Sequence, residues 1–246
     1  MKRVFLDIET TPDPSDPRFG ESPEELADYM VKVGREEMPY LRTGLVSSRA
    51  RLASIAVAVD DGPVECQGIW HTDWPGPVGD LEWWDAGEFQ LLEWLLETIT
   101  KQGIHQGHAG IIVGHNVKGF DVPVLMHRAI RYDHRIGNWL PWPKPGDKPW
   151  DIREHHDTWD LWKGTAFSMK GGGQSEICKM LRIDMAEDDG DGSDVYRWFI
   201  EERYQLIAKH NLADVADNRE IYRRLCPAWA AAMREQADRA AGIHDR

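Results

Sequence analysis

Two periods of apolar positions run through this chain, and each marks out its own elements. Over Val4-Phe5-Leu6-Asp7-Ile8-Glu9-Thr10, β-branched and aromatic residues form a short run closed by Pro12, which reads as a buried strand. Residues two apart share a face of a strand, so Val4, Leu6 and Ile8 point one way and Phe5, Asp7 and Glu9 the other. Arg51–Asp60 reads as a second strand, Asp61-Gly62 as a turn and Val64–Trp70 as a third strand, an antiparallel meander. Ile111–Gly114 is a short fourth strand, and His155–Leu161 reads as strand or turn. The helical period appears in Glu88–Thr100, where Phe89, Leu92, Leu95, Leu96 and Ile99 fall on one side. Helices are also expected over Gly119–Tyr132, with Pro123 tolerable only in its first turn, and over Gln174–Leu181, Val195–Phe199 and Arg203–Leu225. This order predicts an α/β domain: a mixed central sheet, meander plus parallel strands, flanked by helices.

The pattern lapses in three places. Pro12, Pro14 and Pro17 open an irregular loop, and Ser22-Pro23-Glu24-Glu25 then has the order of a helix start, so residues 19–49 read as a charged helical insertion. Trp139–Trp150 holds four prolines in twelve residues and cannot be regular structure. Trp139, Trp142 and Trp150 beside Lys144 and Lys148 are either loop anchors or a surface for unpaired bases. From Pro227 the chain is Ala-rich and helix-prone with little apolar surface, so the expected domain is 1–226 with a tail over 227–246.

Composition narrows the function classes. No apolar run reaches the ~18–20 residues of a membrane span, and no signal-like stretch follows Lys2-Arg3. Cys66, Cys178 and Cys226 show no C-x-x-C spacing, which fits a reducing cytoplasm and excludes a zinc site. A net charge of −13 argues against a broadly basic nucleic-acid coat. Between Lys118 and Lys170, nine Lys/Arg outnumber seven Asp/Glu, so the middle of the chain repels an anion least. Asp184 to Asp194 carries six acids and no Lys or Arg, and reads as a solvated acidic loop. The EF-hand-like start at Glu187 fails, because Trp198 stands where that loop needs Glu. Gly171-Gly172-Gly173 lacks the lysine of a phosphate loop.

Three constellations carry candidate chemistry. Asp7 and Glu9 lie side by side at the end of an apolar strand; taken alone they read equally as exposed strand-end acids. Asp121 opens a helix after a buried strand, within Gly114-His115-Asn116-Val117-Lys118-Gly119-Phe120-Asp121. His210 and Asp214 share a helix face in the stripe Ile207, His210, Asn211, Asp214, Asn218, Ile221, Leu225, where a polar patch interrupts apolar ends. Four acids from a strand, a helix start and a late helix form the hard oxygen set that suits Mg²⁺ or Mn²⁺.

The order D-I-E, H-N-x-x-x-F-D and H-x-x-x-D resembles the three motifs of the DnaQ-like (DEDD) 3′–5′ exonucleases. The resemblance is closest to stand-alone predicted exonucleases similar to the proofreading domain of family B DNA polymerases. It spans roughly Arg3 to Leu225 and includes Asp191-Gly192-Ser193-Asp194-Val195. It implies a ribonuclease-H-like fold, with Asp7, Glu9, Asp121 and Asp214 binding two Mg²⁺ or Mn²⁺ ions. It further implies that His115, Asn116, Thr10 and Phe120 contact the terminal nucleotide of a single-stranded 3′ end, DNA before RNA. His210 stands where the polymerase-like branch has tyrosine; the branch with histidine sets it one residue further back, at Lys209 here. Its expected role is to orient or deprotonate the attacking water. Asp157 and Asp160 could also touch the site. The alternatives are a non-catalytic module binding nucleic-acid ends or a partner protein, and a small-molecule phosphohydrolase.

Overall fold

The computed structural model describes residues 2–13, 50–73, 81–104, 110–138, 155–163, 172–188 and 190–240, with side chains as far as Pro227. The expected insertion at 19–49 and the Trp/Pro-rich loop 139–150 lie outside the described residues.

A five-stranded sheet forms the centre, in the order β3-β2-β1-β4-β5. Its strands are β1 (Arg3–Thr11), β2 (Arg51–Val59), β3 (Glu65–Gly68), β4 (Ile111–Gly114) and β5 (His155–Asp157). The first three form the antiparallel meander, and β4 and β5 join β1 in parallel. With helices α1 (Leu81–Lys101), α2 (Asp121–Arg131), α3 (Thr158–Lys163), α4 (Gln174–Leu181), α5 (Val195–Ile200) and α6 (Tyr204–Ala240), this is the ribonuclease-H-like arrangement.

The alternation of β1 sorts its side chains as the sequence requires. Val4, Leu6 and Ile8 enter the main core with Leu91, Leu92 and Leu95 of α1 and Val122 and Leu125 of α2. Phe5 joins Ala56 and Ala58 of β2 and Val215 and Tyr222 of α6 on the other side. Small residues on β2 let α6 lie close to the sheet, and all nine positions of β2 are buried.

Four boundaries differ from expectation, each for a physical reason. β3 stops at Gly68, because the Trp70 indole folds back over it; a Cβ there would meet that ring at 2.2 Å, and Ile69–His71 becomes a 3₁₀ turn. α1 begins at Leu81, and Glu88 is an interior position drawn in by Arg51, leaving Phe89 41% exposed. His155–Leu161 divides into the short β5 and the start of α3. The last helix does not end at Leu225 but runs through Pro227 to Ala240 as one 37-residue helix. Proline removes one backbone donor there, and the alanines that follow favour helix strongly enough to continue it.

Candidate active site

The site begins where β1 ends. Asp7 and Glu9 leave the strand on the α6 side, and the β1–β2 register shifts immediately after Glu9, between it and Thr10. Such a bulge bends the strand and re-aims the side chains beside it. Asp121 arrives from the parallel neighbour: β4 ends at Gly114, the chain turns through Asn116 at φ 58°, and α2 starts at Asp121. Asparagine tolerates that left-handed conformation. Gly114 is required by close approach, since a Cβ would lie 2.5 Å from Val117 Cβ and 3.0 Å from the Leu6 carbonyl oxygen. The Asp121 carboxylate then accepts a hydrogen bond from the Ile8 N–H at 3.1 Å, between the two acids of β1.

α6 supplies the remaining groups. His210 Nε2 lies 3.5 Å from Glu9 Oε1 and 3.8 Å from Asp214 Oδ2, and these three residues offer ligand atoms within 4.8 Å of one another. Gln174, at the head of α4, donates from Nε2 to both the carbonyl oxygen of Asp214 (2.9 Å) and its Oδ1 (3.1 Å). Asn211, fully buried, donates to Ser54 Oγ of β2 at 3.1 Å, which explains a polar residue in the buried stripe.

The electrostatics are one-sided. Burial first, then Asp121, Asp214 and Glu9, hold Asp7 well above the usual carboxylate range. Glu9 is raised likewise, by burial and by Asp214, Asp121 and Asp188. Burial, with Asp157 and Asp214 adding to it, lifts Asp121 to about 7 against the hydrogen bond from Ile8. Asp214 rises to about 6 by burial, with His210 pulling down and Asp188 and Asp217 pushing up. A cavity of about 620 Å³ opens onto this cluster, lined by six acids (Asp7, Glu9, Asp188, Asp191, Asp214, Asp217) together with His210, and by no Lys or Arg among the described residues.

Thr10 and Phe120 line the cavity, whereas Asp121, His115 and Asn116 are not part of its lining. His115 Nδ1 lies 3.1 Å from Thr158 Oγ1, and burial lowers its pKa to about 4. Asp157 accepts from the backbone N–H groups of Asn116, Lys118 and Trp159, tying the turn before α2 to the start of α3. Asp160 pairs with Lys118 at 3.5 Å and Lys163 at 3.3 Å. Lys118 and Lys163 are therefore engaged with a carboxylate, and no Lys or Arg among the described residues lines the cavity.

Three residues here escaped the sequence reading. Asp188, taken for part of a solvated loop, lines the cavity and contacts His210 Nδ1 at 2.5 Å. Gln174 carries no signal in a single sequence. Asp217 did carry one: it stands seven residues after His210, on the same helical face.

Residues 50–240 match the family described as predicted 3′–5′ exonucleases related to the exonuclease domain of PolB. The chain belongs to this family. The match begins after β1, so Asp7 and Glu9 are joined to the matched region by the sheet itself. The chain is also similar to the family B DNA polymerase of the hyperthermophilic archaeon Pyrobaculum calidifontis, with a TM-score of 0.55 at 15% identity. That likeness covers 92% of this chain but 25% of the polymerase, so the chain spans about a quarter of its length and the likeness is one of fold. No curated protein matches the chain.

Proposed function

We propose that the protein is a metal-dependent 3′–5′ exonuclease that hydrolyses the terminal phosphodiester of single-stranded nucleic acid, DNA before RNA, and releases nucleoside 5′-monophosphates in the cytoplasm. The observation that carries this reading is the convergence of Asp7, Glu9, Asp121 and Asp214, from three separate elements, into one cluster in which Glu9 and Asp121 are buried, Asp7 and Asp214 half-buried, and every carboxyl is held above its usual range. Such a cluster is costly for a protein to assemble unless a cation neutralises it.

The residues fit Mg²⁺ or Mn²⁺. All four are hard oxygen donors, and the cavity presents a phosphodiester with six carboxylates and no Lys or Arg among the described residues. The chemistry two such ions supply when bound is stabilisation of the charge developing on the phosphodiester and acidification of water. The chain's own groups do the rest. Ile8 N–H fixes the Asp121 carboxylate, and Gln174 fixes that of Asp214. His210, with Nε2 turned to Glu9 and Asp214, is placed to take a proton from the attacking water. Thr10 and Phe120 line the space where the terminal nucleotide would sit.

The test uses 5′-labelled single-stranded DNA and RNA with Mg²⁺ or Mn²⁺, beside an Asp7→Ala control. The expected result is a ladder of shortened products that the control does not make. Substrate that is retarded in a gel but never shortened would instead support a binding module on this fold, and cleavage only of small phosphoesters would support a phosphohydrolase.

A further inference from the structure

We propose that Asp188 is a positioning residue for His210, holding the imidazole from the acidic loop so that Nε2 faces Glu9 and Asp214. The proposal rests on the nuclease reading above and adds a residue to it.

The geometry is specific. His210 is 5% exposed, and its two ring nitrogens meet different partners: Nδ1 lies 2.5 Å from Asp188 Oδ2, while Nε2 looks into the acid cluster. A carboxylate accepts hydrogen bonds, so the 2.5 Å contact is matched by the ring tautomer that carries its hydrogen on Nδ1. In the neutral ring this leaves the lone pair on Nε2, the nitrogen on the side where a nucleophilic water would give up its proton. The other tautomer would present an N–H there and could accept nothing. The Trp198 indole packs edge-on to the ring, centroids 5.9 Å apart at 72°, and restricts its plane.

The loop is built to keep Asp188 in place. Two residues before it, Ala186 N–H donates to Asp217 Oδ1 at 2.9 Å, fastening the loop to the helix that carries His210. Three residues after it, Asp191 caps the 3₁₀ turn Gly192–Asp194 through a reciprocal capping box. Between them Gly190 passes so close to Trp198 that a Cβ would lie 2.5 Å from the indole. The segment that looked like solvated acid is thus anchored at both flanks, and Asp188 is the member aimed at His210. It also offsets the spacing oddity of this chain, because a histidine four residues before Asp214 receives its orientation from outside the helix.

The experiment compares wild type with Asp188→Asn, Asp188→Glu and Glu187→Gln, each shown to be folded by circular dichroism, in steady-state cleavage of a short single-stranded oligonucleotide. Asparagine keeps the shape but can donate to Nδ1, favouring the wrong tautomer. The expected result is a kcat lowered roughly 10–100-fold with KM within about twofold, partial recovery in Asp188→Glu, and wild-type rates in the exposed Glu187→Gln. A second readout needs no activity: long-range ¹H–¹⁵N spectra of the metal-free chain, with His210 assigned from a His210→Gln spectrum. These should show the proton on Nδ1 in wild type and on Nε2 in Asp188→Asn. Equal kcat in wild type and Asp188→Asn, or a tautomer that does not change, overturns the proposal and leaves the nuclease reading standing. A wild-type protein that cleaves nothing overturns both.

Discussion

Two clusters of buried acids sit on this one sheet, and their surroundings differ. On the α1 side, Glu88 is fully buried, yet Arg51 reaches it at 3.0 Å, Arg128 at 3.6 Å, and the Leu52 N–H at 2.7 Å. Its neighbour Asp85 binds Arg51 at 2.6 Å, Arg131 at 3.2 Å and Tyr132 at 2.9 Å. Burial raises Glu88, and Arg51, Arg128, Tyr132 and Leu52 all pull it back down. On the α6 side, the leading influences on Asp7 and Glu9 all push upward. A fold that can compensate buried acids with arginines in one place leaves them uncompensated in another. The uncompensated cluster is where a ligand of positive charge is called for, and the difference separates a structural network from a chemical site.

The largest expected effect tests the second cluster. Asp7→Asn should lower the cleavage rate roughly 10³–10⁴-fold, about 4–5.5 kcal/mol, while raising the metal-free melting temperature because it removes a repelled charge. A drop in melting temperature would mean that the acids are not in conflict. Glu88→Gln tests the first cluster in the opposite sense. It leaves Arg51 with Asp85 as its carboxylate and Arg128 with the Ala50 carbonyl, and should cost about 3 kcal/mol in denaturant unfolding, with the folded fraction keeping its turnover.

Next in size is the effect of pH and metal on stability. Asp214 at about 6 and Asp121 at about 7 sit above their unfolded values, so their contribution to stability is full in acid and is lost as pH rises through 6 to 7. Thermal melts of metal-free protein should therefore fall from pH 5 to pH 8, and less steeply in Asp121→Asn. Mn²⁺ at a hundredfold excess over its Kd should return about 2.7 kcal/mol, roughly 5–10 °C, at pH 8 and little at pH 5. The smallest effect is that of Gln174→Ala, which frees the Asp214 carboxylate. Titrating activity with Mn²⁺ should show an affinity about tenfold weaker with the fold intact.

What could be read in advance divides along the same line. β1, β2, β4 and the face of α6 were legible because strand alternation and helical period are local, and burial follows them. The four acids drew notice because Asp7, Glu9 and Asp214 each interrupt such a period and Asp121 opens a helix after a buried strand. Glu88 did not, since a buried glutamate is indistinguishable from a helix-start acid until Arg51, 37 residues away, is brought to it. Asp188 was invisible for the opposite reason: a run of six acids in eleven residues hides the one that turns inward. Both misses concern partners distant in sequence, which no local period records.

Among its fastenings, the helix carrying His210 and Asp214 is tied to the meander by Asn211, which bonds Ser54 of β2, and by Arg219, which donates to the Gly62 carbonyl at 2.7 Å. The two fastenings are about 12 Å apart along the axis, with Asp214 between them. A rod held at one point can pivot, and a rod held at two cannot. Slippage by one residue would rotate the helix by about 100° and break both fastenings together, so the face carrying His210 and Asp214 cannot lose its alignment gradually. The hairpin turn at Asp61-Gly62 therefore acts as an alignment stop for the candidate site.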